Sequence, residues 1–172
     1  AIGRLTKQKN FIFLIKCFKK IIEKNIDIKL YILGEGEDRK KLQDLILINK
    51  LGDNIFLEGH QSNVYKYLKN ADAFILSSLW EDPGFVLVEA FYSNTIVISS
   101  DCKNGPLEIL KNGENGFLFK SNSQDSFLQK FYEFNNTNQK DIEIIKLSAK
   151  KMSKKYSLFS HYKSLIKIIN FK

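Results

Sequence analysis

The sequence predicts an α/β domain in which helices cover both faces of a parallel sheet. Short apolar, β-branched runs alternate along the chain with segments whose apolar residues recur at helical spacing. Such alternation is typical of parallel strands joined by helical crossovers. The length of 172 residues suits one domain with one core, and no apolar run is long enough to cross a membrane.

The predicted elements follow in chain order. Ala1 and Ile2 are interpreted as the last step of a strand, which makes the sequence a fragment of a longer protein. Five further strands are predicted over Ile28–Leu33, Asn54–Leu57, Ala73–Ser77, Thr95–Ser99 and Gly116–Phe119. Helices are predicted over Phe11–Glu23, Asp38–Asn49, Val64–Asn70, Phe85–Tyr92, Pro106–Asn112, Gln124–Phe134, Asp141–Lys155 and Leu158–Phe171. The polar stretch Asn135–Lys140 is predicted to be a surface loop.

Right-handed crossovers between these strands predict a Rossmann-like, doubly wound sheet of about six strands in the order 3-2-1-4-5-6. Ligands of such sheets bind at the carboxyl ends of the strands that flank the point where the order reverses. Here those strands end at Ile2 and Ser77. The loops that leave them, Gly3–Asn10 and Ser78–Gly84, are therefore predicted to share one crevice.

The stretch Ser77–Glu89 carries the strongest functional pattern at that crevice. Pro83 suits the first position of a helix, with Asp82 as its N-cap, so the N–H groups from Gly84 to Val86 would attract an anion. Glu81 on the loop and Glu89 on the helix face the same opening. Two carboxylates beside an anion site suit a ligand with hydroxyls and phosphates, such as a nucleotide sugar.

The loop after the first strand supplies the opposite charge. Gly3 allows a tight turn or a close ligand approach. Arg4 and Lys9 place two cations on a short loop, where a diphosphate would satisfy both. The alternative is a solvated basic loop.

Other motifs are weaker. Gly34-Glu35-Gly36 lacks the third glycine of a dinucleotide fingerprint, since Arg39 stands there, and a turn at a strand end is favoured. The backbone of Gly59 and His60 could face a nucleobase, and His60 is not expected to act as a base. Trp80 is either a sugar platform or strand-end packing.

The net charge and the cysteines limit the ligands and the cellular compartment that the sequence favours. The net charge of +8 is compatible with phosphate-bearing ligands, nucleic acid or an anionic membrane, but the lysines are spread along the chain and no nucleic-acid motif stands out. Cys17 and Cys102 have no metal spacing and no obvious pairing, which indicates a reducing, cytosolic setting, with Cys17 in the core. A basic, aromatic segment near the C-terminus could touch a membrane surface or pack across a second domain, and packing is favoured. Its residues are Tyr156, Phe159, Tyr162, Lys163, Lys167 and Phe171.

Taken together, these motifs resemble the group 1 (family 4) retaining glycosyltransferases of GT-B fold, in which they occur in the same order. The motifs are Gly3-Arg4-Leu5 with Lys9-Asn10, Gly34-Glu35-Gly36, Leu57-Glu58-Gly59, Ser77–Glu89, Gly105-Pro106-x-Glu108 and Asn112-Gly113-x-x-Gly116.

The resemblance implies that residues 1–172 are the C-terminal donor-binding domain, with an acceptor domain at the N-terminal side. It implies transfer of a sugar from a nucleotide diphosphate, UDP favoured, to a glycan or lipid-linked acceptor of the bacterial surface. The setting would be cytoplasmic, with the inner face of the membrane as a place of peripheral contact. No metal, cofactor or nucleic acid is expected, and the isolated domain is expected to be inactive.

The resemblance also assigns roles. Arg4 and Lys9 match residues that hold the donor diphosphate, with Gly3 on the same loop. Glu81 matches the carboxylate at the sugar hydroxyls, and Glu89 the one at the ribose. The backbone of Gly84, Phe85 and Val86 matches the part that meets phosphate and sugar, and Gly59 and His60 lie where the base is met. Pro83 departs from many relatives, because it removes one backbone donor.

Three alternatives stay open from the residues. The first is half of a nicotinamide-dependent oxidoreductase, the second a non-catalytic nucleotide-binding module, and the third a related GT-B epimerase or phosphorylase.

Overall fold

The strands and helices alternate as the periodicity predicts, in a computed structural model that describes residues 1–24 and 26–169. The strands are β1 (Leu30–Leu33), β2 (Ile55–Gly59), β3 (Ala73–Leu76), β4 (Ile96–Ser100) and β5 (Phe117–Phe119). The helices are α1 (Phe11–Ile22), α2 (Arg39–Ile48), α3 (Val64–Lys69), α4 (Val86–Tyr92), α5 (Pro106–Ile109), α6 (Gln124–Asn136), α7 (Gln139–Lys155) and α8 (Leu158–Ile169). Single 3₁₀ turns occur at Lys7–Lys9 and Lys111–Gly113.

The strands form two parallel sheets, β1-β2 and β3-β4-β5. Ile2 adds one parallel bridge to Leu33 on β1. The prediction of about six strands in one sheet is therefore wrong in number and continuity, because the described residues contain five strands in two sheets. Only Ala1 and Ile2 stand before Gly3, which is too short a piece to form a ladder with β1 and β3 at once. The neighbours within each half agree with the predicted order.

Two apolar clusters hold the domain together. The larger is centred on α1, α6 and the strand interiors, where the rings of Phe13, Phe119 and Phe127 stack or meet edge to face. The smaller lies between α4, α5, α7 and the strands β3 and β4. Cys17 is fully buried in the larger cluster, as expected, and burial raises the pKa of its thiol to about 12, which makes it an inert core residue.

The C-terminal helices differ from expectation at one boundary. Asn138 caps α7 by accepting a hydrogen bond from the Asp141 N–H (3.0 Å), so this helix begins at Gln139. Because α6 runs to Asn136, the predicted loop Asn135–Lys140 is reduced to a two-residue connection. The predicted helix Leu158–Phe171 is described up to Ile169, and Phe171 lies outside the described residues. In the part of the chain that the structure describes, no helix is long and apolar enough to span a membrane.

Candidate functional site

Two loops meet where the sheet order was predicted to reverse. Three hydrogen bonds join residues 8–9 to residues 77–80: Ser77 Oγ donates to the Lys9 carbonyl (2.7 Å), the Leu79 N–H to the Gln8 carbonyl (2.8 Å), and Gln8 Nε2 to the Trp80 carbonyl (3.0 Å). The first loop is therefore fixed against the carboxyl end of β3. The two loops also meet through one side chain each, Lys9 and Glu81.

Where the two loops meet, Lys9 and Glu81 form an ion pair. Lys9 Nζ lies 2.6 Å from Glu81 Oε1, and the side chains are only 15% and 5% exposed. Ser78 Oγ donates to the same carboxylate oxygen, and the Ser78 carbonyl accepts a hydrogen bond from Ser100 Oγ (2.7 Å). Oε2 accepts no hydrogen bond from the described residues. The pair thus presents a cation and a free carboxylate oxygen side by side.

Glycines allow the backbone segments of this crevice to approach one another. A Cβ on Gly3 would lie 2.8 Å from Lys9 Cε, so the lysine side chain lies across this residue. A Cβ on Gly34 would lie 1.9 Å from the Gly3 carbonyl oxygen, and one on Gly36 2.4 Å from that of Leu5. The Gly34-Glu35-Gly36 turn was predicted, but its function as support for the cationic loop was not.

The segment that leads into α4 differs from the prediction. The helix begins at Val86, with Phe85 as its N-cap, so the assignment of Asp82 as N-cap and Pro83 as first helical residue is wrong. Gly84 has φ +82°, a left-handed conformation that interrupts a helical run, and the Asp82–Pro83 peptide bond is cis. A Cβ on Gly105 would lie 1.9 Å from the Pro83 carbonyl oxygen, so the glycine of the Gly-Pro motif at 105–106 allows that segment to pack against this turn.

The remaining predicted donor-binding residues differ in their exposure. Glu89 lies in the first turn of α4, is half-buried, and has its pKa raised by desolvation. Val86 is half-buried, whereas the ring of Phe85 is 56% exposed and meets Tyr156 edge to face. Arg4 belongs to the same loop as Lys9, but its side chain is exposed and has no ion pair within the described residues. Arg4 is therefore not brought into contact with Glu81.

A second ion pair lies beside the end of β2. Gly59 is buried with φ +73°, and His60 beside it is exposed. Glu35 and Arg39 form an ion pair here (2.7 Å), Arg39 Nη2 donates to the Leu57 carbonyl (3.3 Å), and a Cβ on Gly59 would lie 2.9 Å from Glu35 Oε1. Sequence reasoning missed this pair, although its i, i+4 spacing directly after a strand was a usable signal.

Two other predicted features can be located. The Trp80 side chain is 45% exposed, and its backbone forms a parallel bridge with Lys103. Within residues 1–24 and 26–169, no cluster of three or more histidine, cysteine, aspartate or glutamate side chains could hold a metal ion.

Comparison with known proteins gives the class. Residues 1–152 match the family model of the group 1 glycosyl transferases. The chain belongs to this family, and its fold is the Rossmann-like α/β fold of GT-B proteins.

Two curated relatives illustrate the range of the family. The chain is 50% identical over 109 residues to an uncharacterized glycosyltransferase of Methanocaldococcus jannaschii, covering 63% of this chain and 27% of the relative. It is 34% identical over 130 residues to an Escherichia coli UDP-Gal:alpha-D-GlcNAc-diphosphoundecaprenol alpha-1,3-galactosyltransferase, covering 74% of this chain and 33% of the relative. The chain therefore spans about a third of the length of these relatives.

Among solved structures, TarM of Staphylococcus aureus, in complex with Fondaparinux, alpha-GlcNAc-glycerol and UDP, matches with a TM-score of 0.88. The identity is 25%, and the match covers 99% of this chain and 34% of that one. The likeness extends over nearly every element, including α8.

Proposed function

We propose that this chain is the C-terminal, donor-binding domain of a retaining family 4 glycosyltransferase that uses a UDP-sugar. The observation that carries the proposal is the Lys9–Glu81 pair, held where two loops meet at the carboxyl ends of parallel strands. The Escherichia coli relative is named for a UDP-sugar and a diphosphoundecaprenol acceptor, and the TarM structure contains UDP. Both support a nucleotide-sugar donor and an acceptor used in surface glycan synthesis.

The charges of the crevice suit the two ends of such a donor. Departure of the nucleoside diphosphate concentrates negative charge on its phosphate oxygens, and fixed cations in a water-poor site stabilise that charge. Lys9 is already held in place by Glu81, and Arg4 on the same loop is free to turn towards the phosphates. The backbone at Gly84, Phe85 and Val86 would adjoin phosphate and sugar. No metal or cofactor is required in this proposal.

The carboxylates suit the hydroxyls of the donor. Glu81 Oε1 is occupied by Lys9 and Ser78, which leaves Oε2 to accept from a sugar hydroxyl. Glu89 lies eight residues after Glu81, in the first turn of α4, and would accept from the ribose. Gly59 and His60 would meet the base with their backbone. Transfer then requires an acceptor domain, which we assign to the N-terminal side of the full protein, in the cytoplasm.

The donor class is tested by thermal unfolding of the isolated domain with UDP, GDP or NAD. A ligand at 100 times its Kd stabilises a fold by about 2.7 kcal/mol. UDP is expected to raise Tm most, and UDP-sugars at least as much. Stabilisation by NAD alone would favour an oxidoreductase half instead, and stabilisation by GDP alone would overturn the uridine assignment.

Replacement of Glu89 by glutamine is expected to weaken UDP binding by about tenfold or more, because a charge-assisted hydrogen bond is lost. Burial raises the pKa of Glu89, so the folded domain holds this proton more tightly than the unfolded chain does. Ionisation of Glu89 therefore costs stability as the pH rises through the raised pKa, and UDP affinity should fall as the pH drops through it. Calorimetric titration with UDP across pH measures the change in affinity, and urea unfolding across the same pH range measures the change in stability.

The exposed Glu143 on α7 offers a matched control for that titration. The Glu143→Gln variant should bind UDP with the wild-type pH profile, including the part caused by titration of the nucleotide itself. Equal profiles for Glu89→Gln and Glu143→Gln would remove Glu89 from the ribose site.

Helix α8 is proposed to contact both the acceptor domain and the membrane surface. It has no buried residue; Leu158 and Phe159 are 84% and 66% exposed, and Lys163 lies over the Phe159 ring at 4.5 Å. We attribute its apolar side to packing on the acceptor domain, and Lys163 and Lys167 to contact with anionic lipid near a lipid-linked acceptor. With about 1 kcal/mol per lysine, changing both to glutamate should weaken binding to phosphatidylglycerol vesicles at least tenfold. If the wild type and the double variant sedimented equally with these vesicles, the proposed lipid contact would be contradicted.

A further inference from the structure

Two pairs of adjacent serines lie buried at the carboxyl ends of β3 and β4. Ser77 and Ser78 follow β3, and Ser99 and Ser100 are the last two residues of β4. None of the four is more than 1% exposed. A buried hydroxyl costs free energy unless it forms a hydrogen bond, and an alanine would fill nearly the same space without that cost. The hydrogen-bond partners of these hydroxyls therefore indicate what the serines do.

Three of the four hydroxyls form hydrogen bonds that lead to the Lys9–Glu81 pair. Ser77 Oγ donates to the Lys9 carbonyl (2.7 Å), and Ser78 Oγ donates to Glu81 Oε1. Ser100 Oγ donates to the Ser78 carbonyl (2.7 Å). Ser100 on β4 therefore holds the residue that in turn holds the carboxylate.

The Ser78 carbonyl has one further contact, from the segment that follows β5. Ser121 Oγ lies 3.5 Å from this carbonyl oxygen, and the Ser121 N–H donates to Asp101 Oδ1 (2.7 Å). A hydrogen bond of 3.5 Å is weak compared with one of 2.7 Å. Ser100 is therefore the main side-chain donor to the Ser78 carbonyl.

These contacts decide which carboxylate oxygen of Glu81 stays available. Oε1 accepts from Lys9 Nζ and Ser78 Oγ, whereas Oε2 accepts no hydrogen bond from the described residues. A Cβ on Gly84 would lie 3.6 Å from Oε2, so the available oxygen is turned towards this glycine. Because a carboxylate rotates easily about its last side-chain bond, two donors on the same oxygen are what fix its orientation.

We propose that Ser100 is a positioning residue, which holds Glu81 through Ser78 so that Oε2 is presented to the sugar of the donor. The proposal rests on the proposed function of Glu81 as an acceptor for a sugar hydroxyl. Ser100 is fully buried and acts only through Ser78. A displacement of about 1 Å is enough to weaken a contact that depends on a fixed geometry. Ser100 therefore contributes to recognition of the sugar and not to recognition of UDP.

The test compares the affinities of the full-length protein for UDP and for UDP-sugars. Calorimetry gives Kd for UDP, UDP-glucose, UDP-galactose and UDP-N-acetylglucosamine. Ser100→Ala is expected to weaken binding of the preferred UDP-sugar about tenfold, while Kd for UDP changes by less than about twofold, because only a hydrogen bond to the sugar is impaired. Equal weakening of UDP and UDP-sugar would overturn the proposal, as would unchanged binding of both.

Two further variants separate the hydrogen bond from packing. Ser99 is as buried as Ser100, but its Oγ donates to the Ser100 carbonyl (2.9 Å) and not towards Glu81. Ser99→Ala should therefore keep the wild-type ratio of the two Kd values. Ser100→Cys nearly keeps the side-chain volume but offers only a weak donor, so it should resemble Ser100→Ala. A normal ratio in Ser100→Cys, or a changed ratio in Ser99→Ala, would show that packing at the end of β4 matters and not the hydroxyl.

A crystal structure of Ser100→Ala without nucleotide tests the geometry independently of the donor. The Glu81 carboxylate is expected to turn, so that Lys9 Nζ and Ser78 Oγ no longer share one oxygen. An unchanged carboxylate would overturn the positioning function of Ser100. If the wild type bound none of the four nucleotides, the proposed donor class would be refuted, and this structure would still decide whether Ser100 positions Glu81.

Discussion

Replacing Lys9 with alanine in the full-length protein is expected to lower kcat for sugar transfer by about 10²–10³-fold, as loss of a preorganised donor to a developing anion does. Lys9 is suited to this function because its ammonium group is fixed before any ligand binds, by Glu81 at 2.6 Å and by packing across Gly3. A preformed cation needs no reorganisation when charge reaches the leaving phosphate. Steady-state transfer with a saturating donor measures the effect.

The substitution also leaves the Glu81 carboxylate buried without its cation, and removing one partner of a buried pair is destabilising. Activity must therefore be compared well below the Tm of the variant, and Tm must be measured separately. Lys7 provides a matched control, since it lies on the same 3₁₀ turn and is exposed. Lys7→Ala should retain wild-type kcat.

Two outcomes would count against this assignment of Lys9. A Lys9→Ala protein with a lower Tm but near-normal kcat would show that the pair is structural. A Lys7→Ala protein that loses as much activity as Lys9→Ala would show that the general charge of the loop matters and not this contact. Lys9→Arg should recover part of the rate, because the charge is kept while the position of the cation shifts.

The sequence was sufficient for the fold class because that class depends on periodicity. The apolar spacing of α1 and the apolar runs of β3 and β4 indicate burial on one or both faces, and the structure places most of these residues in the core. Membership of the group 1 glycosyl transferases and the Rossmann-like α/β fold of GT-B proteins are confirmed by the comparisons. The sheet was predicted less well, because Ile2 forms one bridge to β1 and no ladder that joins the two sheets, and periodicity does not report strand pairing.

Placement of the site could be predicted, but its contacts could not. The rule for parallel sheets brings the loops after Ile2 and β3 together, and Lys9 and Glu81 do meet there. It does not reveal that Arg4 points to solvent, nor that Ser78 shares the Glu81 carboxylate. The range Phe85–Tyr92 predicted for α4 is correct to within one residue, but the placement of Asp82 and Pro83 at the helix start was wrong. Pro83 can precede a turn as readily as a helix, and the left-handed Gly84 separates it from α4.

A close approach between two backbone segments that are distant in sequence has no local sequence signal. Gly34 shows how much such an approach matters for stability. Gly34→Ala is expected to destabilise the isolated domain by about 3 kcal/mol or more, since strained φ and a backbone clash act together. Its φ is +139°, and a Cβ would lie 1.9 Å from the Gly3 carbonyl oxygen. Equilibrium unfolding in urea measures the loss, and Gly52→Ala is the control because a Cβ there meets nothing within 4 Å.

The same close approach connects stability with the proposed donor site. If the Gly34 turn positions the cationic loop, a milder change at Gly3, on the other side of this contact, should reduce UDP binding without an equal loss of stability. Gly3→Ala places its Cβ against Lys9 Cε, the far end of a flexible side chain, so the lysine can move, and no backbone atom is met; the φ of +158° adds some strain. It should therefore weaken UDP binding several-fold with a smaller loss of stability than Gly34→Ala. If Gly34→Ala were as stable as Gly52→Ala, or if Gly3→Ala bound UDP like the wild type, the turn would not be what holds Lys9 in place.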